Sequence, residues 1–147
     1  MREISPQETP RLYECLEDLA RHHNEVSVYF KGFYPGIPSE ELAKQFAAEM
    51  EAGSSHIAVI EDGERVIGLC KINVDAAKAA GTLDYLVVLG TERGSGHGAA
   101  LMDWALGKFA ELGVKAVEVK YVYGNDVVDF YRRYGFKEKS VIMRLER

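Results

Sequence analysis

The sequence has little cysteine, no basic block and no long apolar run, and each shortage excludes a class of function. There are two cysteines, Cys15 and Cys70, and neither belongs to a CxxC pair. That argues against a disulfide framework or a cysteine-based metal site, and both read as buried small hydrophobes. His22 and His23 are adjacent; on a helix they point about 100° apart and make a poor metal pair. Lys and Arg are dispersed, which argues against a general nucleic-acid binder. The formal net charge of −5 aids solubility and is mildly favourable to a cationic substrate. No apolar stretch approaches the roughly 20 residues needed to cross a bilayer. The opening "MREISPQETP" is polar and lacks the apolar stretch of a signal peptide. The expectation is a cytoplasmic protein without membrane or nucleic-acid partners. No internal repeat, low-complexity segment or linker interrupts the chain. Its 147 residues, 47% hydrophobic and 28% charged, are expected to form a single domain over 1–147.

Ser5-Pro6-Gln7-Glu8 reads as a capped helix start. Leu12, Cys15, Leu16, Leu19 and Ala20 then form one apolar helical face. "FKGFYPGIPS" breaks that pattern and reads as a loop. A second helix is predicted from a Ser39 cap to about Ala52, with Leu42, Phe46 and Met50 facing inward. "HIAVIEDGERVIGLCKINV" reads as two strands joined at Asp62-Gly63. "TLDYLVVL" is predicted to be the next strand, followed by a glycine-rich turn and a helix carrying Leu101, Ala105, Phe109 and Leu112. "VKAVEVKYV" reads as a strand and "NDVVDFYRRYG" as a short helix. "FKEKSVIMRL" is predicted to close the chain as a strand, with Val141, Met143 and Leu145 alternating. The order suggests a helix pair and an antiparallel meander, then a single crossover unit.

The turn between strand and helix carries Gly94, Gly96 and Gly98 directly behind Arg93. A strand entering a helix through glycines exposes backbone N–H donors at the positively polarised helix end. Such a site suits a phosphate or pyrophosphate, and a tight packing turn is the plainer alternative. A P-loop would need Gly-Lys-Ser/Thr, whereas this turn runs Gly98-Ala99-Ala100. The dinucleotide fingerprint is a nearer rival, through Gly94-x-Gly96-x-x-Ala99 with Glu118 beyond it. A Rossmann domain, however, needs several successive βα units.

Val88, Arg93, Gly94, Gly96 and Gly98 together resemble the acyl-coenzyme A motif of the GNAT superfamily, the coenzyme A-dependent N-acyltransferases. "FYRRYGF", with Phe130-Tyr131 and Gly135-Phe136, resembles the second family signature, and the order of elements is similar over nearly the whole chain. The resemblance implies an α+β, three-layer fold. Its sheet would be mixed and mostly antiparallel, flanked by helices and splayed at the cofactor. It also implies acetyl-coenzyme A (acetyl-CoA) as cosubstrate, no metal, and a small-molecule or peptide amine as acceptor.

Under that resemblance the pyrophosphate lies on Arg93, Gly94, Ser95, Gly96, His97, Gly98 and Ala99, with His97 contributing its backbone more than its ring. Backbone groups of Leu86, Val87 and Val88 pair with the pantetheine arm. Tyr131 becomes the general acid toward sulfur, instead of a core aromatic. Asp84 becomes the candidate base, with a solvated strand-end carboxylate as the alternative; Glu118 is weaker, on a solvated sheet face. The family often has asparagine seven residues before the tyrosine; here Asn125 is six before Tyr131 and Gly124 holds the seventh place. Asn125 is therefore either a cofactor contact or the helix N-cap. Tyr29, Phe33 and Tyr34 fall where acceptor recognition is expected, and are equally compatible with a lid or a homodimer surface. A non-catalytic acyl-CoA-binding module on the same fold is the alternative to an enzyme.

Overall fold

The capping residues near the N-terminus start a tighter helix than expected. In the computed structural model, which describes all 147 residues, Glu8 Oε2 accepts from the Ser5 N–H at 2.9 Å and the Glu8 N–H donates to Ser5 O at 3.0 Å. The turn they open is a 3₁₀ helix over Pro6–Leu12, because Pro10 lies inside it and lacks the N–H that an α-helix requires. The α-helix α1 begins only at Tyr13 and runs to Val26. Helix α2 spans Ser39–Glu51, with Pro38 in the capping position expected for Ser39. Ser39 is the first helical residue, and its hydroxyl reaches Glu17 at 3.3 Å.

Five strands form one sheet in chain order: β1 (Arg2–Glu3), β2 (Ser55–Asp62), β3 (Arg65–Asp75), β4 (Ala80–Val88) and β5 (Ala116–Val119). The β2–β3 hairpin closes on the pair Asp62–Arg65, so its two-residue turn is Gly63-Glu64, one position beyond the expected one. The first three pairings are antiparallel; only β4 and β5 run parallel, joined by helix α3 (His97–Glu111). A single crossover cannot build a doubly wound dinucleotide domain.

Apolar side chains cover both faces of this sheet. On one face Leu12, Cys15, Leu16 and Phe46 from the 3₁₀ turn, α1 and α2 pack on Ile57, Val59, Leu69 and Val87. On the other, Leu101, Met102, Ala105 and Phe109 of α3 pack on Cys70, Ile72 and Leu83. Helix α4 (Val128–Arg133) lies on this second cluster through Phe130 and Tyr131. The result is a mixed, open sheet between helical layers, as the α+β expectation requires. No helix is long and apolar enough to cross a membrane.

Two strand expectations are corrected. Strand β5 is confined to Ala116–Val119, four residues of the predicted "VKAVEVKYV", because its ladder with β4 ends at Leu83–Val119. The predicted C-terminal strand is absent: residues 137–147 have no regular structure. Val141, Ile142, Met143 and Leu145 there are between 83% and 92% exposed. Alternation makes a segment compatible with a sheet, but it becomes a strand only by hydrogen bonding to a partner ladder, and here it has none.

Candidate active site

The turn after β4 presents a row of free donors. Gly94 and Gly96 have φ of +88° and +83°, the left-handed region that side chains avoid, so the chain can reverse tightly into α3. The first helical bond of α3 runs from Ala100 N to Gly96 O. None of the backbone N–H groups from Gly94 through Ala99 has an acceptor within the protein. They face the positive end of a 15-residue helix. A Cβ on Gly94 or Gly96 would meet no protein atom within 4 Å, so open space borders these donors. The turn is anchored by Asp18 of α1, which accepts from the Gly90 N–H at 3.1 Å and lies 3.9 Å from the Arg93 guanidinium. Arg93 also donates to Val88 O at 3.2 Å. This donor set fits an oligophosphate: backbone N–H groups in series with one arginine beside them.

Beside the turn, the sheet opens. Strands β4 and β5 pair only through Leu83–Val119. Beyond that point Leu86, Val87 and Val88 keep their β3 partners but have no β5 partner, leaving one backbone edge free. The register of β4 against β3 also shifts here: Lys71 pairs with Tyr85, and Ile72 pairs with Leu83. Asp84 is thus the extra residue of a β-bulge, a device that re-aims a side chain. Its Oδ2 accepts from Lys71 Nζ at 2.5 Å, and Oδ1 has no partner. Lys71 is fully buried and also donates to Glu49 Oε2 at 2.8 Å and Asn73 Oδ1 at 2.7 Å. Asp84 is therefore an ion-paired residue at the head of the split, not a freely solvated strand-end carboxylate.

The second signature folds against the first. The ring of Phe130 reaches to 3.8 Å of where a Cβ on Gly98 would stand. Tyr131 is half-buried between Phe130 and Phe136, with ring centroids 5.6 and 5.8 Å away. Burial, with a smaller contribution from the nearby Cys70 thiol, pushes its phenol up to about 12. Asn125 is not the cap of α4, a position held by Val127. Its Oδ1 instead lies 3.3 Å from His22 Nε2. Gly124 carries a φ of +102°, and a Cβ there would stand 2.2 Å from Val26 O. That close approach to the end of α1 explains why position 124 cannot hold the family's asparagine.

The aromatic loop is only partly drawn toward these elements. Tyr29 and Phe33 are each 69% exposed, and the Tyr29 ring packs at a tilt against Tyr123, 5.5 Å between centroids. Tyr34 is half-buried against His23, 4.9 Å between centroids, and Asn24 holds both its N–H and its carbonyl. Glu118 is exposed on β5, consistent with a solvated sheet face. Three residues escaped the sequence reading: Asp18, Glu49 and Lys71. Only Lys71 left a signal, as a charge inside "IGLCKINV", a strand apolar on both faces.

Comparisons with known proteins agree with this arrangement. No curated protein matches the sequence. Among solved structures, the PaiA N-acetyltransferase from Thermoplasma acidophilum, in complex with coenzyme A, superimposes with a TM-score of 0.78 at 15% identity, over 96% of this chain and 91% of that one. A tetramutant of a Bacillus halodurans protein gives 0.76 at 19% identity, over 99% and 98% of the two chains. An aminoglycoside acetyltransferase from an uncultured soil metagenomic sample, in complex with sisomicin, gives 0.72 at 16%, over 99% and 93%. Identities this low speak for the fold. The family described as "Acetyltransferase (GNAT) domain" matches residues 53–138. With more than half of its length matched and the fold in agreement, the chain belongs to the GNAT acetyltransferase family.

Proposed function

We propose that residues 1–147 act as one acetyl-CoA-dependent N-acetyltransferase domain, moving an acetyl group to a primary amine of a small molecule or peptide by direct attack on the thioester. The observation that carries this reading is the run of unpartnered N–H donors from Gly94 to Ala99, placed beside the free edge of β4. The turn and Arg93 bind the pyrophosphate, and the backbone of Leu86, Val87 and Val88 aligns the extended arm as a neighbouring strand would. A backbone N–H of the same strand polarises the carbonyl, whose developing negative charge it meets at short range.

Asp84 Oδ1 takes a proton from the attacking amine, directly or through one water. Tyr131 donates to the departing sulfur. At about 12 its phenol lies well above a free thiol at roughly 8.5, so it is protonated throughout the neutral range. It therefore hydrogen-bonds the sulfur first and yields its proton only as negative charge accumulates there. Solvent restores the phenolic proton and takes the one that Asp84 accepted, so the net balance is one proton moved from amine to thiol. Tyr29, Phe33 and Tyr34 border the acceptor, and a cationic amine can lie over their faces.

The test is release of coenzyme A from acetyl-CoA in the presence of alkyl amines, aminoglycosides and peptide N-termini. Amine-dependent release supports the enzyme. Tight coenzyme A binding without release for any amine would make the protein a binding module. Competition by NAD instead of coenzyme A would overturn the phosphate assignment.

A further inference from the structure

The carboxylate at the Asp84 bulge is held by a group that acyl transfer itself does not call for. Lys71 is completely buried, yet its ammonium has three N–H bonds and three oxygens to receive them: Glu49 Oε2, Asn73 Oδ1 and Asp84 Oδ2. The Phe46 ring covers it at 4.8 Å. Two of these acceptors also border the Ser55 hydroxyl, 2.6 Å from Asn73 Oδ1 and 3.1 Å from Glu49 Oε2, which has one proton to give to either. Burying an ammonium is costly even when it is paired, and well-packed apolar residues at such sites are often as stable or more so. Stability alone therefore does not account for a lysine here.

Its placement does. An extra residue in a strand can turn its side chain to either side of the sheet. Asp84 is that residue, and it stands immediately after the last β4–β5 pair. The short contact from Lys71 holds Asp84 Oδ2 on the α2 side and leaves Oδ1, on a side chain 32% exposed, as the free oxygen. We infer that Lys71 is a positioning residue. It fixes the carboxylate of Asp84 at the mouth of the split and ties it through Glu49 to helix α2. This inference rests on the acyltransferase reading above and assigns a role to a residue outside the two signatures.

The test is a double-mutant cycle in the full-length protein: Lys71→Met, Asp84→Asn and both together. Each is assayed for acetyl-CoA turnover with the best amine of the acceptor panel, and for coenzyme A affinity by calorimetry. Lys71→Met is expected to lower kcat about 100-fold, the scale of a displaced general base. KM for acetyl-CoA and coenzyme A affinity should stay within about threefold, and adding Lys71→Met to Asp84→Asn should cost less than about threefold more. Lys71→Gln keeps two N–H donors and should recover about tenfold of the loss. It takes the place of Lys71→Met in the cycle if that variant does not fold, with about a tenfold single loss expected and the same lack of additivity. Unchanged turnover in the Lys71 variants, or losses that multiply with that of Asp84→Asn, would overturn the inference. Full turnover in Asp84→Asn would remove it by refuting the base while leaving acyl transfer intact. No release with any amine would remove it together with the acyltransferase reading.

Discussion

Substituting Gly96 by leucine tests the phosphate role proposed for the glycine turn where the protein itself has least to lose. Gly96 caps α3 at φ +83°, and a Cβ there meets no protein atom within 4 Å. The cost to the fold is then mainly the left-handed backbone, about 1–2 kcal/mol for a non-glycine residue. That is small against the roughly 5–15 kcal/mol of a typical domain. The cost to the ligand is larger, because the new side chain fills the space bordering the donors of Gly94 to Ala99. Hydrogen bonds to charged groups contribute about 1.5–3 kcal/mol each, so losing two costs about 3–6 kcal/mol. At 1.4 kcal/mol per tenfold, affinity for coenzyme A should fall roughly 10²- to 10⁴-fold. Calorimetric titration with coenzyme A measures this, and thermal melting reports the fold. Gly107→Ala is the control: its Cβ also meets open space, but on the exposed face of α3. It should stabilise the protein by about 0.5–1 kcal/mol and leave affinity unchanged. A Gly96→Leu protein that melts normally and binds within threefold of wild type would refute the assignment.

Three further outcomes are expected. Tyr131→Phe should lower kcat at least tenfold while changing coenzyme A affinity less than threefold, as steady-state kinetics and calorimetry would show; unchanged turnover would exclude Tyr131 as the proton donor. The same phenol bears on alkaline stability. Its folded value, about 12, lies above the ordinary value near 10, so above pH 10 the unfolded chain releases the proton first. The contribution is complete below pH 10 and is lost as pH rises toward 12, so melting temperatures between pH 9 and 11.5 should fall more steeply for wild type than for Tyr131→Phe. Cys15 and Cys70 are both pushed up to about 12 by burial. Neither should react with a thiol reagent at pH 8 in the native protein, both should react in denaturant, and early labelling of Cys70 would show that the layer beneath α3 and α4 opens.

The glycine turn was legible because its chemistry is local. Three glycines and an arginine within six positions specify a strand-to-helix reversal with free N–H groups, and Gly94 and Gly96 adopt the backbone that such a reversal needs. The helices were legible from apolar spacing and the Ser5–Glu8 capping box formed as expected, but Pro10 made the turn it opens 3₁₀ and delayed the α-helix to Tyr13, and Pro38 displaced Ser39 as a cap. The C-terminal strand misled because alternation records compatibility with a sheet and says nothing about whether a partner edge is present.

The splayed sheet was implied by the family resemblance, but where β4 and β5 part, the bulge at Asp84 and its tether to Lys71 lie on the other side of that divide. Residues 49, 71 and 84 are separated in sequence; Glu49 and Asp84 read as ordinary charges, and Lys71, though it stands out in an apolar strand, names no partner. In sequence, Asp84 suits a solvated strand end equally well, and Asn125 a helix cap. The family, the cradle and the order of elements follow from short-range rules of backbone and spacing. Which carboxylate is held, by what and on which side of the sheet follows from strand register, because a one-residue bulge decides where a side chain turns. Only the folded sheet sets that register.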